Sequence, residues 1–219
     1  MRSLDFDVLV NKEHPLEYMN YEPEDLIALD NNINNFHNYV DPNLKPCISM
    51  KIYKPYKELE KESIKDGLHL VVDSGYRSRV YQMYVFRSIL EKYYEEYVKE
   101  GCTNPYLSAY RKTCSRVALP GRSEHQTGYA VDMASYRNGV FFDDLNPIEK
   151  EWLSENAYRY GFILRYPEGK EEITGFDYEP WHYRYVGNDI AALLYNNGEW
   201  LTLEEYHKEL KLTKKEFSW

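Results

Sequence analysis

The sequence predicts an α+β fold, a mixed sheet with helices at both ends of the chain, on three observations. Apolar and aromatic residues recur mostly at three and four along Ser78–Lys99, which marks an amphipathic helix. Four short β-prone runs, His69–Asp73, Tyr129–Met133, Phe162–Tyr166 and His182–Val186, lie between helical stretches. A length of 219 residues, 43% of them hydrophobic, suits one core rather than two.

Taken in order, Pro23-Glu24-Asp25 opens a short helix, with Pro at an early position and acids where the macrodipole favours them. Asn31–Pro46 is turn-rich and reads as a loop or a frayed helix. Pro55–Lys65 places Tyr56, Leu59, Ser63 and Ile64 at helical spacings and stops at Asp66-Gly67. His69–Asp73 is a buried strand, and Ser74–Ser78 is its exit. Gly101 closes the helix that follows.

Thr103–Arg122 holds Pro105 and Pro120 and reads as a long surface excursion. After the strand at Tyr129–Met133, Asn146-Pro147 starts a helix that runs through Trp152 and Ala157 to Gly161. Ile190–Tyr195 and Leu203–Leu210 are short closing helices. There is no internal repeat and no low-complexity tract, so residues 1–219 are expected to form one domain.

The formal charge is 27 − 36 = −9, which argues against a nucleic acid partner, because neutralising phosphates needs clustered Lys and Arg. The longest apolar runs, such as Ile190–Tyr195, fall far short of the roughly 20 residues needed to span a bilayer. Met1–Val10 lacks the basic-then-apolar order of a secretory signal. Cys47, Cys102 and Cys114 are odd in number and without CxxC spacing, so neither a disulfide framework nor a Cys-type zinc site is suggested. A cytoplasmic location is expected, with a trimmed extracytoplasmic domain as the alternative.

Two of the six histidines sit in ordered company, in Ser123-Glu124-His125-Gln126-Thr127-Gly128-Tyr129-Ala130-Val131-Asp132 and in Glu179-Pro180-Trp181-His182. A turn at Gly128 would fold His125 back toward Asp132 as the chain enters a strand, and His182 would arrive from a neighbouring strand. Two imidazoles and one carboxylate form a catalytic zinc set with a position left for water. Glu179 lies three residues before His182, stiffened by Pro180, and is placed to act as general base beside the metal. Arg77, at a strand exit, could meet a substrate carboxylate or a developing oxyanion, and Ser123 supplies a neutral donor.

Singly, each feature has an ordinary reading: a surface His or Asp, a packed turn around Trp181, or a surface ion pair of little worth. Their conjunction is what points to a metal hydrolase. His14, His37, His69 and His207 have no partner set at ligand spacing and are assigned nothing. The tyrosines of Ser78–Lys99 read as half-buried packing rather than a stacking platform.

The chain resembles the zinc D,D-carboxypeptidases of the VanY and VanXY type, within the wider group of lysostaphin, D-Ala-D-Ala metallopeptidases and hedgehog proteins. The resemblance rests on Ser74-Gly75-Tyr76-Arg77-Ser78 with Gln82, Ser123-x-His125-x-x-Gly128-x-Ala130-x-Asp132, and Glu179-Pro180-Trp181-His182-x-Arg184-Tyr185. Further similarity lies in Val10–Lys12, Pro15-Leu16, Tyr160–Pro167 and Ile173–Gly175.

It implies a small antiparallel sheet flanked by helices, with the metal on the open sheet face. It implies Zn²⁺ on His125, Asp132 and His182, with Glu179 as base. Arg77 would touch the substrate's carbonyl or carboxylate, Ser123 its terminal carboxylate, and Gln82 the peptide. The implied substrate is a peptidoglycan stem peptide or free D-Ala-D-Ala. Tyr129 departs from the smaller residue expected there and would narrow the cleft if it faced it. The excursion Thr103–Arg122 and the loop Ser135–Asp144 are the places for a lid. The alternatives are an L,D-carboxypeptidase acting on tetrapeptide stems and a zinc-binding module without catalysis.

Overall fold

The computed structural model describes residues 4–30 and 45–216, so most of the turn-rich stretch from Asn31 and the whole of His37 lie outside the described residues. The expected helix after Pro23 is replaced by strand β1 (Leu26–Ala28), which pairs antiparallel with β2 (Cys47–Ser49). Pairing with a segment some twenty residues on outweighs the local helix signal. Ser49 then caps helix α1 (Met50–Lys65), its hydroxyl accepting from the Lys51 N–H and donating to Asp25. α1 therefore starts five residues before the expected Pro55, which sits inside the helix. The stripe Ile52, Tyr56, Leu59 and Ser63 is buried in one row, and that packing outweighs the missing proline N–H.

β3 (Leu70–Ser74) leads into α2 (Arg79–Lys99), capped by Ser78 and followed by Gly101 at φ +72°. α2 buries only Gln82 and Phe86; Tyr81, Tyr93 and Tyr97 are half-buried, while Tyr84 and Tyr94 are 45% and 43% exposed. The packing expectation thus holds for three of those five rings. The expected surface excursion contains a helix, α3 (Pro105–Arg116), which packs on α2 through an edge-on Phe86–Tyr110 contact. Asn104 accepts from the Leu107 N–H and Pro105 occupies the first turn, so this proline starts a helix instead of breaking one.

A 3₁₀ turn at Glu124–Thr127 ends on Gly128 at φ +74°, where the turn was expected. β4 runs from Ala130 to Arg137 and β5 from Val140 to Phe142. The expected loop at Ser135–Asp144 is therefore largely a hairpin. Asn138 and Gly139 both take positive φ, 51° and 78°, the two-residue turn that Asn-Gly favours, and this local signal explains why the stretch is paired rather than open. α4 (Pro147–Asn156) begins with a capping box between Asn146 and Glu149. β6 (Phe162–Leu164), the single turn α5 (Glu171–Thr174), β7 (His182–Tyr185), α6 (Asn188–Tyr195) and α7 (Leu203–Glu216) complete the chain.

Every pairing is antiparallel, so the resemblance's expectation stands and the mixed sheet is corrected. The main sheet has the order β3-β4-β7-β6, and β5 extends the edge of β4 beyond β7. Side chains alternate along β4: Val131 and Met133 join α1, α4, α6 and the first turn of α7 in the main core, and Asp132 faces the other way. Tyr129 is also on the core side, its hydroxyl bonded to the Leu4 carbonyl and its ring edge-on to Phe6, so it does not narrow the cleft. No helix of the described residues is long and apolar enough to cross a membrane.

Candidate functional site

Register builds the site. Ser74 pairs with Asp132, and Asp132 pairs with His182, so β3, β4 and β7 set three polar side chains in one row on the face opposite the core. His125 arrives from the 3₁₀ turn, whose backbone is locked to the strand exit by the Arg77 N–H donating to the His125 carbonyl at 3.2 Å. His125 Nδ1 lies 2.7 Å from the Gly75 carbonyl, which leaves Nε2 to face Asp132 at 3.3 Å. His182 turns Nδ1 to the other oxygen of Asp132 at 2.9 Å.

Gly75 must be glycine for lack of space. A Cβ there would stand 2.1 Å from the Cys47 carbonyl oxygen, which also accepts from the Tyr76 N–H at 2.5 Å. Gly75→Ala is expected to destabilise the protein by about 1–3 kcal/mol and to displace the carbonyl that orients His125. Denaturant unfolding checks it, and wild-type stability would refute it.

His125, Asp132 and His182 offer ligand atoms that all lie within 4.8 Å of one another. The donor set fits zinc: two imidazole nitrogens with their partner nitrogens turned away, plus a carboxylate. His182 Nε2 is buried without a hydrogen-bond partner among the described residues. Burial and the Arg77 charge push His125 down to about 4, which keeps its imidazole neutral and free to ligate. For His182 burial is outweighed by Asp132 and Glu124, and the group is pushed up to about 9.

Glu179 is 6% exposed and belongs to a turn closed by the His182 N–H on the Glu179 carbonyl, with Pro180 second in the turn. Its Oε2 lies 3.9 Å from His182 Nδ1, beside the ligand atoms and outside the set. Burial, with Asp132 adding and His182 opposing, pushes Glu179 up to about 8. Arg77 is fixed through Nε to the Ser74 hydroxyl at 2.8 Å and pairs through Nη2 with Asp132. A cleft of about 280 Å³ opens over this cluster, walled by α2, by Arg116–Ala118 at the end of α3, and by Trp181.

Ser123 and Gln82 also line the cleft. The Ser123 hydroxyl makes no capping bond, and Gln82 gives Nε2 to the Ala118 carbonyl at 2.8 Å while its buried Oε1 has no partner among the described residues. All seven sequence-derived site residues therefore meet around one cleft. Of the two expected lid segments, the end of the first lines it, and the hairpin at 135–144 does not. His14, His69 and His207 stand apart from the cluster, and the three cysteines are free thiols. Missed from the sequence was Glu124, buried behind His182 and paired with Arg165 and Arg184. Its place between Ser123 and His125 was the available signal.

The family model described as VanY, D-alanyl-D-alanine carboxypeptidase, matches residues 45–188. The putative carboxypeptidase YodJ of Bacillus subtilis (strain 168) is 37% identical over 205 residues, 93% of this chain and 67% of that protein. A D-alanyl-D-alanine carboxypeptidase of Enterococcus faecalis is 42% identical over 73% of this chain, which spans only 55% of that relative's length. The bifunctional D-Ala-D-Ala dipeptidase and carboxypeptidase VanXYC of Enterococcus gallinarum is 34% identical and matches nearly end to end, over 96% of this chain and 97% of its own.

Among solved structures, a mutant of the vancomycin resistance D,D-pentapeptidase VanY in complex with Zn(II) superposes with a TM-score of 0.73. It is 36% identical, covering 92% of this chain and 98% of its own. VanYB in complex with D-alanine-D-alanine gives the same TM-score of 0.73 and 36% identity, over 93% of this chain and 97% of its own.

Proposed function

The chain belongs to the VanY family of D-alanyl-D-alanine carboxypeptidases, and from that premise we propose that it is a zinc-dependent D,D-peptidase. It removes the terminal D-alanine of peptidoglycan stem peptides, or splits free D-Ala-D-Ala. The observation that carries the reading is the convergence of His125, Asp132 and His182 beside Glu179 in one cleft. The likeness to a Zn(II)-bound relative and to one holding D-alanine-D-alanine supports it.

In this reading His125, Asp132 and His182 hold Zn²⁺. When bound, the ion supplies a Lewis acid for the scissile carbonyl and an acidified water. Glu179 takes a proton from the attacking water and delivers it to the leaving amine. Its burial suits the second half of that task, because a desolvated carboxylate holds a proton well. Arg77, steadied by Ser74, meets the substrate's carbonyl or carboxylate. Ser123 donates to the terminal carboxylate, and Gln82 Oε1 accepts a peptide N–H.

Residues 1–219 act as one domain, a reading supported by the continuous core that joins β2, α1, the main sheet and α7. A cytoplasmic location goes with three reduced thiols, and cell fractionation tests it.

The deciding assay incubates the zinc-loaded protein with D-Ala-D-Ala, with a stem pentapeptide and with a tetrapeptide, and identifies the released amino acid and its chirality. Release of D-alanine from the first or second is expected; none from either would end the reading. Arg77→Ala is expected to lower kcat/KM about 10²- to 10³-fold on substrates with a free carboxylate and clearly less on C-terminally amidated ones. An equal loss on both reassigns Arg77 to the oxyanion.

A further inference from the structure

Two arginines that the reaction leaves unused, Arg165 and Arg184, are completely buried, each with 0% exposure. They converge on one carboxylate. Arg165 Nε donates to Glu124 Oε1 at 2.8 Å, and Arg184 Nη1 lies 3.0 Å from the same oxygen. Glu124 is itself 1% exposed. Its second oxygen, Oε2, has no hydrogen-bond partner among the described residues, and neither has His182 Nε2, 3.7 Å away.

A buried donor and a buried acceptor left unmade side by side cost free energy that one bond between them recovers. A closure of less than about 1 Å makes that bond, since N–H···O contacts form near 2.9 Å. The opposite nitrogen, Nδ1, already faces Asp132.

We propose that Glu124 is a positioning residue for His182: its Oε2 accepts a hydrogen bond from His182 Nε2–H, which fixes the tautomer and turns the Nδ1 lone pair toward the metal site. The proposal rests on His182 being a zinc ligand, and it goes beyond that reading by giving the ligand its support. A carboxylate behind a ligating imidazole both orients the ring and raises its basicity.

The two guanidiniums supply the countercharge that lets an acid sit there at all, and the network carries on to both ends of the described chain. Glu204 on α7 grips Arg165 with two bonds of 2.8 and 2.7 Å. Arg184 Nη2 donates to the Phe6 and Val8 carbonyls of the N-terminal arm at 2.8 and 3.1 Å. Arm and last helix thereby fasten the two arginines.

The test is zinc affinity, measured by competition with a chromophoric chelator. Glu124→Gln keeps the shape and removes the charge, and its zinc Kd is expected to rise about 10- to 100-fold. Glu204→Gln strips Arg165 from the far side without facing His182; it is expected to lower thermal stability and leave zinc affinity where it is. Unchanged affinity in Glu124→Gln, or an equal loss in Glu204→Gln, overturns the proposal.

A measurement on the zinc-loaded wild type needs no variant to fold. Imidazole ¹H–¹⁵N spectra should show His182 protonated at Nε2 and protected from exchange, and an Nδ1–H tautomer overturns the proposal. A wild type that takes up no zinc sinks the metal site itself, whereas normal uptake with an indifferent Glu124→Gln sinks only this inference.

Discussion

Glu179→Gln protein is expected to keep its fold and its zinc and to release D-alanine about 10²- to 10⁴-fold more slowly, the usual share of a general acid–base group. The amide has the carboxylate's shape and can neither take the water's proton nor pass it on. Because Glu179 stands 3.9 Å from His182 Nδ1 and outside the ligand set, metal analysis should return one zinc per chain in both proteins. Undiminished turnover would remove Glu179 from the mechanism, and lost zinc would make it a ligand.

The zinc-free protein carries a further signature. Burial raises Glu179 from an ordinary 4.5 to about 8 in the folded state, so ionising it opposes folding. Below 4.5 folded and unfolded forms are both protonated and nothing is lost; stability falls as pH rises from about 4.5 toward 8. Glu179→Gln has no such group, and its stability should overtake the wild type's across that window. Urea unfolding at a series of pH values reads the difference.

Removal of the metal should have the largest effect. Exhaustive chelation is expected to bring D-alanine release to background and stoichiometric zinc to restore it. A Lewis acid worth several kcal/mol at the transition state corresponds to about 10³- to 10⁴-fold in rate. His125→Ala is expected to act as strongly and without rescue at ordinary zinc concentrations. Its ring is buried between the Gly75 carbonyl and His182, so an alanine leaves two ligands and a hole. Full activity after chelation would end the assignment.

Much of this chain is legible in its sequence, because helix and strand periods are local. The apolar spacing of α2, the buried run of β3 and the capped start of α4 follow from neighbours within a few residues. So does the turn at Gly128, which only a short set of residues needs to satisfy. Elsewhere a local signal has two meanings, or a distant partner decides. Pro105 and Pro55 look like breakers, yet Asn104 makes the first a helix start and core packing carries α1 past the second. Leu26–Ala28 follows residues suited to a helix start but becomes a strand, because Cys47–Ser49 offers it an edge.

The sequence by itself singled out the candidate side chains for holding a metal and moving a proton, since the chemistry belongs to residue types and short spacings. Tertiary structure decided where they meet. Cross-strand register puts Asp132 opposite His182, 50 residues apart, and the packing of the 3₁₀ turn near the end of β6 buries Arg165 against Glu124, 41 residues apart. Register follows from burying one face of the whole sheet at once, a condition that no short stretch of chain carries.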